Sequence, residues 1–185
     1  WIEAMLEQGM KPGVGAVGAK LLYEDGSIQH AGVVHCNGLP DHVRKHYPRL
    51  DPGYMFSTVA VRNYLAVTGA CMLTRAELFR AVGGFDERYK INYSDIDYCM
   101  KLHKAGQRTV YTPHAELFHF ESASRQASVA PEEIALYRER WSAQVARDPY
   151  YNNDYFRGSP PDFALVGRIA ALTGSVPSLH RQDRS

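Results

Sequence analysis

The sequence has few cysteines, no long apolar run and no excess of charge of either sign. Cys36, Cys71 and Cys99 are far apart and form no C-x-x-C pair, which argues against a disulfide framework and against a zinc knuckle. The longest apolar run, 66–73, falls far short of the ~20 residues that a membrane-spanning helix needs. Because 21 Lys and Arg face 20 Asp and Glu, no strong field attracts nucleic acid to the surface. We therefore expect a domain of a reducing compartment, without a nucleic-acid partner.

Several enzyme signatures are also missing. The chain has no P-loop, no H-E-x-x-H, no G-x-S-x-G and no G-x-G-x-x-G between a strand and a helix, which excludes several classes of enzyme. No basic segment followed by an apolar one opens the sequence, so no secretory signal is visible and we expect no export. An amphipathic helix instead begins at Trp1 and stops at Gly9. Its apolar stripe predicts an internal fragment that packs on a preceding segment.

The composition predicts one globular α/β domain, since 45% of the 185 residues are hydrophobic and 22% are charged. Apolar periodicity and turn residues separate its elements. The predicted strands are 14–23, 28–34, 64–74, 107–111 and 115–120, and the predicted helices are 75–82, 94–106 and one that opens at Pro131. We assign 1–148 to this domain and 149–185 to a partly disordered C-terminal extension. An apolar helix predicted at 163–174 packs on a further segment or touches a membrane surface.

Residues 35–63 show no periodicity, and a loop of this length is uncommon inside a compact domain. We expect a lid, a binding loop or a disordered segment. Its basic and aromatic side chains are compatible with contact to a sugar chain or a lipid phosphate, although a solvated charged loop has the same composition. These side chains are His42, Arg44, Lys45, His46, Tyr47, Arg49, Tyr54, Phe56 and Arg62.

Two acids stand at the predicted start of the 94–106 helix. Ser94 and Asp97 have the spacing of a capping box, in which Ser94 is the N-cap and Asp97 reaches back from the N3 position. Asp95 then lies at N1, where the positive helix end favours its ionised form and its side chain projects into the preceding loop. An ionised carboxylate in such a place can act as a general base, although helix-starting acids are more often structural.

His119 lies on the predicted strand 115–120, which ends in the polar cluster 121–125. Because α/β proteins bind ligands at strand ends, a neutral imidazole there, with carboxylates from elsewhere, suits Mn²⁺ or Mg²⁺. Arg125 could bind a phosphate, although a lone arginine is usually a surface residue. A half-buried structural histidine is the competing interpretation of His119.

Two further features have both a structural and a functional interpretation. His30, preceded by Gln29 on the second strand, is either packed in the core or part of a site. The run Thr68, Gly69, Ala70 either allows a ligand to approach the backbone or marks a bulge.

Four linked segments carry a family resemblance. In chain order they read VGAVGAKLLYEDGSIQHAGVV, AVTGACMLTRAELFRAVGGFDE, YSDIDYCMKLHKAG and VYTPHAELFHFESASR. Over residues 1–145 the chain closely resembles the second half of family 2 glycosyltransferases, in particular bacterial cell-surface polysaccharide and rhamnosyltransferase-like members. The resemblance implies a partial GT-A (nucleotide-diphospho-sugar transferase) fold, a mixed sheet flanked by helices whose N-terminal nucleotide-binding half is absent. In the family, a D-x-D motif that holds the metal and diphosphate precedes the segment that matches Trp1.

The resemblance also implies roles for individual residues. Asp95 matches the carboxylate base, and His119 matches a histidine that commonly completes the metal site for Mg²⁺ or Mn²⁺. Thr68, Gly69 and Ala70 match a segment that lines the donor-sugar and acceptor pocket, and Asp97 matches a frequent acid of the same motif, although the capping role competes for it. Together with Arg125, which its place after the strand suggests, these residues are expected to bind substrate. The implied reaction inverts the anomeric carbon as an acceptor hydroxyl displaces the nucleotide diphosphate.

The implied partners are a nucleotide-sugar donor, a saccharide or lipid-linked acceptor, and the missing N-terminal half of the same domain. We expect a cytoplasmic location, with peripheral contact to the inner face of the membrane, and an isolated fragment that is inactive. One alternative is a non-catalytic module that binds carbohydrate or protein. Another is a metal-dependent hydrolase that uses His119 with Asp95 and Asp97.

Overall fold

A computed structural model describes residues 1–120, 129–153, 156, 161 and 163. Four helices and seven strands account for most of the described chain. The helices are α1 (Ile2–Gly9), α2 (Ala76–Ala81), α3 (Ser94–Lys104) and α4 (Pro131–Val145). The strands are β1 (Val14–Leu22), β2 (Ile28–His30), β3 (Val33–Cys36), β4 (Leu39–His42), β5 (Arg62–Tyr64), β6 (Met72–Thr74) and β7 (Arg108–Phe118).

The main sheet is mixed, with the strand order β2, β1, β7, β5. β1 and β7 run parallel, whereas β2 and β6 pair antiparallel with different halves of β1, and β5 pairs antiparallel with β7. β3 and β4 form a separate antiparallel pair. A mixed sheet flanked by helices is the predicted fold class, which is confirmed.

β1 is buried along its whole length because helices cover both faces of the sheet. On one face Val17, Ala19 and Leu21 share a core cluster with Met5 of α1. On the other face Ala16 packs with Tyr98 of α3. The small residues of β1 therefore allow close packing on both sides.

α1 forms where the apolar spacing predicted a helix. Met5 is buried against the sheet, whereas Trp1, Ile2 and Leu6 keep large exposed surfaces. One row of apolar side chains therefore packs on the described fold, and the neighbouring row does not.

α3 is confirmed, but its start differs from the predicted capping box. Tyr93 is the N-cap and has a left-handed backbone (φ 65°), so Ser94 is already the first helical residue. Asp95 and Asp97 consequently lie at the second and fourth helical positions. Gly106, with φ 74°, follows the helix as predicted.

Three other expectations differ from the structure. The segment 35–63 contains β4 and a 3-10 turn at Tyr54–Phe56, and its ends belong to β3 and β5. The predicted strand 64–74 is interrupted by a 3-10 turn at Gly69–Cys71. The two strands predicted on either side of Pro113 are a single strand, β7, because the pairing with β1 skips three residues there and resumes at Glu116.

The boundary predicted at residue 148 stays a prediction. Among the described residues beyond it, Tyr151 and Phe163 belong to the main core cluster and Phe156 packs against it. The helix predicted at 163–174 lies outside the described residues apart from Phe163. Within the part of the chain that the structure describes, no helix is long and apolar enough to cross a membrane.

Candidate functional site

A cavity of about 660 Å³ opens where β1 and β7 end. Tyr23 directly follows β1 and His119 directly follows β7, and both line the cavity. Because the two strands are parallel, their carboxyl ends meet at one edge of the sheet, which is where open α/β sheets bind ligands. The polar side chains of the lining are those of Gln29, His42, Lys45, Thr68, Asn92, Ser94, Asp95 and His119.

The carboxylate of Asp95 is fixed by two backbone amides. Gly69 donates to Oδ2 at 2.7 Å, and Ile96 donates to Oδ1 at 2.8 Å. A side chain at Gly69 would bring a Cβ within 3.2 Å of the Asp95 Cβ, so glycine allows the turn to approach the carboxylate this closely. The turn itself is held by the hydroxyl of Thr68, which accepts from the amide of Ala70 at 3.3 Å. The Thr68–Gly69–Ala70 turn therefore positions Asp95 at the cavity wall.

The ring of His119 is oriented by Gln29, which lies on β2. Its Nδ1 lies 2.8 Å from Oε1 of Gln29, and Nε2 of Gln29 donates to the backbone oxygen of His119 at 3.2 Å. Because an amide oxygen only accepts, the imidazole proton lies on Nδ1 and the Nε2 lone pair is available to a ligand. This arrangement is typical of metal-binding histidines, whose second nitrogen is held by a neighbouring acceptor.

His30 and His42 form a pair that supports the turn at Thr68–Ala70. The amide of Thr68 donates to Nε2 of His30 at 3.5 Å, and Nδ1 of His30 lies 3.1 Å from Nδ1 of His42. Burial, and next the charge of His42, hold the pKa of His30 well below its usual value. Burial also lowers the pKa of His42, against the opposing charge of Asp95. Both rings are therefore neutral at neutral pH, and His30 donates its Nδ1 proton to His42.

Asp97 does not reach the cavity, which corrects its expected contact with substrate. It has no exposed surface, and its Oδ1 accepts from Nε1 of Trp141 at 2.9 Å. Arg140 and Lys101 lie 3.2 and 3.1 Å from its two oxygens. The acid is buried because it joins α3 to α4. The hydrolase interpretation, which requires Asp97 beside His119, loses one of its ligands for the same reason.

Arg125, the remaining predicted substrate-binding residue, lies outside the described residues. The other predicted site residues, Asp95, His119, Thr68, Gly69 and Ala70, share the cavity lining. Their roles in binding and catalysis stay predictions.

Few side chains at the cavity could hold a metal ion. His119 has the tautomer of a ligand, but the described residues contain no group of three His, Cys, Asp or Glu side chains that could hold an ion. Asp95 and Asp97 have the spacing D-x-D, yet the second acid is buried between helices. The imidazole nitrogen of His119 is chemically suited to be one ligand of a metal ion, and its role as a ligand stays a prediction.

Sequence reasoning assigned no site role to Gln29 and Asn92, and it left His42 and Lys45 open between contact with a ligand and a solvated loop. Gln29 was mentioned there only as the residue before His30. Gln29 contacts His119 because β2 pairs with the end of β1, next to the end of β7. His42 and Lys45 belong to the segment in which no periodicity was visible. Asn92 lies in the loop before α3, where both its amide groups donate to Glu133 of α4. These positions depend on contacts between distant segments, so local patterns carry no signal for them.

Comparisons with known proteins identify the family of the chain. Residues 39–147 match a family described as glycosyltransferase like family 2. The chain is 43% identical over 176 residues to the uncharacterized protein y4gI of Sinorhizobium fredii, a match that covers 86% of this chain and 19% of that protein. It is 40% identical over 161 residues to the O-antigen biosynthesis protein RfbC of Myxococcus xanthus, which covers 82% of this chain and 12% of that protein.

A shorter match, 45% identical over 58 residues, links the chain to N-acetylglucosaminyl-diphospho-decaprenol L-rhamnosyltransferase of Mycobacterium tuberculosis. It covers 31% of this chain and 19% of that enzyme. The chain thus spans less than a fifth of the length of each of these relatives.

Proposed function

Because this chain belongs to the glycosyltransferase family 2-like proteins, we propose that it forms the acceptor side of an inverting glycosyltransferase site. The donor is a nucleotide-diphosphate sugar, and the acceptor is a saccharide or a lipid-linked saccharide used in cell-surface polysaccharide synthesis. The names of two relatives, an O-antigen biosynthesis protein and a rhamnosyltransferase acting on a decaprenol diphosphate, support this assignment. We also propose a hexosyl or rhamnosyl transfer reaction at the cytoplasmic face of the membrane.

The observation that carries the proposal is the carboxylate of Asp95, fixed by two backbone amides in the wall of a cavity that His119 also lines. In the proposed reaction Asp95 accepts the proton of an acceptor hydroxyl as the oxygen attacks the anomeric carbon. The bond from that carbon to the diphosphate breaks, and the nucleoside diphosphate leaves. The amide of Gly69 holds the carboxylate in place, so its orientation requires no rearrangement during the reaction.

Family members are generally metal-dependent, and the Nε2 atom of His119 would hold Mg²⁺ or Mn²⁺ in this chain. When bound, such an ion neutralises charge on the departing diphosphate. The described residues orient this imidazole through Gln29, and Asp95 in the same cavity lining provides the base.

The proposal is tested by replacing Asp95 with Asn in the protein that carries this chain. Loss of the base should reduce sugar transfer by about 10² to 10⁴ while the fold is kept, because Asn retains the size of the side chain. Turnover of the donor in the presence of acceptor is the measurement, with circular dichroism as the check on folding. Glu7→Gln neutralises an exposed carboxylate of α1 that does not line the cavity, and it should stay close to wild-type activity. Full turnover by Asp95→Asn would remove Asp95 from the base role.

The 185-residue chain alone is expected to bind nucleotide weakly and to show no transfer activity. The reason is that its described residues offer His119 but no set of three metal ligands to hold a diphosphate. Calorimetry with UDP and dTDP in the presence of Mn²⁺ measures this directly. Micromolar binding of either nucleotide would contradict the expectation.

A further inference from the structure

The loop between β4 and β5 presents apolar side chains to solvent. We call them the loop patch, and its members are Leu50, Met55, Phe56, Val59 and Val61. Met55 and Phe56 are 70% and 66% exposed. Clusters of large exposed apolar residues on a protein surface mark sites of contact with a membrane or another molecule.

The backbone next to the loop patch is anchored in the core. Ser57 and Thr58 have no exposed surface, and their backbone oxygens accept from the hydroxyls of Tyr64 and Tyr111 at 3.2 and 2.8 Å. The preceding turn is closed by the amide of Gly53, which donates to Asp51 at 2.8 Å. The apolar side chains are therefore held outward by a fixed backbone.

Met55 and Phe56 have left-handed backbone conformations, with φ of 50° and 59°. Non-glycine residues adopt this conformation at a conformational cost, and such strain is concentrated at functional positions. Two consecutive strained residues therefore present the two most prominent side chains of the turn.

Cationic side chains flank the loop patch. Arg62 donates to the backbone oxygen of Tyr54, within the turn itself, and Arg49 directly precedes Leu50. Arg49 is paired with Glu116, whereas Arg62 has no carboxylate partner among the residues that the structure describes. The chain from 44 to 62 contains four Lys or Arg and one acid, so the loop carries net positive charge.

We propose that the loop patch docks on an anionic membrane surface. Apolar side chains that enter the headgroup region, flanked by arginines that contact lipid phosphates, are the chemistry of an interfacial membrane contact. The loop also contacts the strand that leads into the candidate site, because Arg49, next to Leu50, pairs with Glu116 of β7, and Lys45 of the same loop lines the cavity. Docking would thus bring the cavity to the membrane surface, where the diphosphate of a lipid-linked acceptor lies. The inference rests on the proposed function for that acceptor.

The test is co-sedimentation of the full chain with vesicles. We expect the chain to bind vesicles that contain both phosphatidylglycerol and phosphatidylcholine. Added salt should weaken this binding, and vesicles of phosphatidylcholine alone should bind less of the chain. Met55→Ser combined with Phe56→Ser should reduce binding roughly tenfold or more, because both side chains lose their burial in the bilayer. Arg62→Gln should reduce binding to anionic vesicles only.

Matched controls come from exposed residues elsewhere. Met10 is 74% exposed at the end of α1, so Met10→Ser removes an equivalent side chain. Arg80→Gln on α2 removes an equivalent charge. Both controls should bind vesicles as the wild type does, and thermal melting should show all variants folded.

The proposal would be overturned if the wild type did not bind anionic vesicles, or if the variant with Met55→Ser and Phe56→Ser bound them as strongly as the wild type. Self-association of the wild type that this variant abolishes, without vesicle binding, would identify the loop patch as a protein interface instead. Transfer to a short water-soluble acceptor, measured with the same substitutions in the protein that carries this chain, tests the proposed function separately. A loop-patch variant that loses vesicle binding but keeps this transfer supports docking. Loss of transfer by Asp95→Asn supports the role of the catalytic site and does not bear on docking.

Discussion

The pair formed by Gln29 and His119 is held by reciprocal hydrogen bonds between segments that are 90 residues apart. Gln29→Leu removes the acceptor of the Nδ1 proton while leaving a side chain of similar size. We expect the imidazole to lose its fixed tautomer and metal-dependent transfer to fall by about 10- to 100-fold, since partners of metal ligands contribute effects of this size.

Two measurements check the role of Gln29. A titration of transfer activity with Mn²⁺ should shift to higher metal concentration in Gln29→Leu. Nitrogen-15 NMR of the His119 ring should show a mixture of tautomers without any metal present. Gln29→Glu keeps an acceptor for the Nδ1 proton and should retain the wild-type tautomer. A fixed wild-type tautomer in Gln29→Leu would show that another group orients the ring.

At the level of single residues, sequence reasoning located the carboxylate and the imidazole but not their partners. Asp95 and His119 stand in recognisable strings beside a predicted helix start and a predicted strand end. Gln29 and His42 acquire their contacts only when β2 and β4 meet the end of β7 and the turn at Gly69. Periodicity describes which face of an element is buried, and it contains no information on which distant side chain lies opposite.

At the level of elements, Asp97 joins α3 to α4 through Trp141 and the cations Arg140 and Lys101. Asp97→Ala would leave the indole N–H without its acceptor and Lys101 without its carboxylate, whereas Arg140 keeps its ion pair with Asp86. We expect the free energy of unfolding to fall by about 2 to 4 kcal/mol, somewhat less than for a fully buried pair, because Arg140 and Lys101 retain some contact with water. Urea unfolding of the chain is the measurement.

Trp141→Phe is the matched control for this contact. It removes the same hydrogen bond but leaves Asp97 with its two cations, so we expect a smaller loss, about 1 kcal/mol plus a small packing term. If Asp97→Ala unfolds at the wild-type urea concentration, the buried acid does not join the helices. Loss of transfer activity at unchanged stability would instead return Asp97 to a role in substrate binding.

The elements themselves were predictable wherever local signals agreed. α3 has an apolar stripe and a terminal glycine, and β1 has a continuous apolar run, so both formed where predicted. β7 was divided wrongly at Pro113 because a proline usually ends a strand, whereas here the parallel neighbour β1 continues the pairing beyond it. β4 was missed because Leu39–His42 is short, half-buried and paired only with β3.

At the level of the whole molecule, buried ionisable groups couple stability to pH. Burial lowers the pKa of His35 from 6.5 to about 4 and holds that of His30 well below 6.5. The unfolded chain therefore binds more protons than the folded chain as pH falls below about 6.5, so stability is lost on acidification. Asp148 acts in the opposite direction. Burial raises its pKa from 3.8 to about 6, against hydrogen bonds from the amides of His35, Tyr150 and Tyr151, so the folded chain binds the extra proton in that window.

Between about pH 6 and pH 5, the unfolded chain gains more protons at His30 and His35 than the folded chain gains at Asp148. The folded state should therefore lose at least about 1.4 kcal/mol of stability per pH unit. The lowered pKa of His42 and of His103 acts in the same direction. Urea unfolding across this range is the measurement. His35→Gln removes one of the buried groups and should flatten the slope by about 1.4 kcal/mol per pH unit. Stability that increases on acidification would mean that Asp148, rather than the buried histidines, dominates the proton balance of folding.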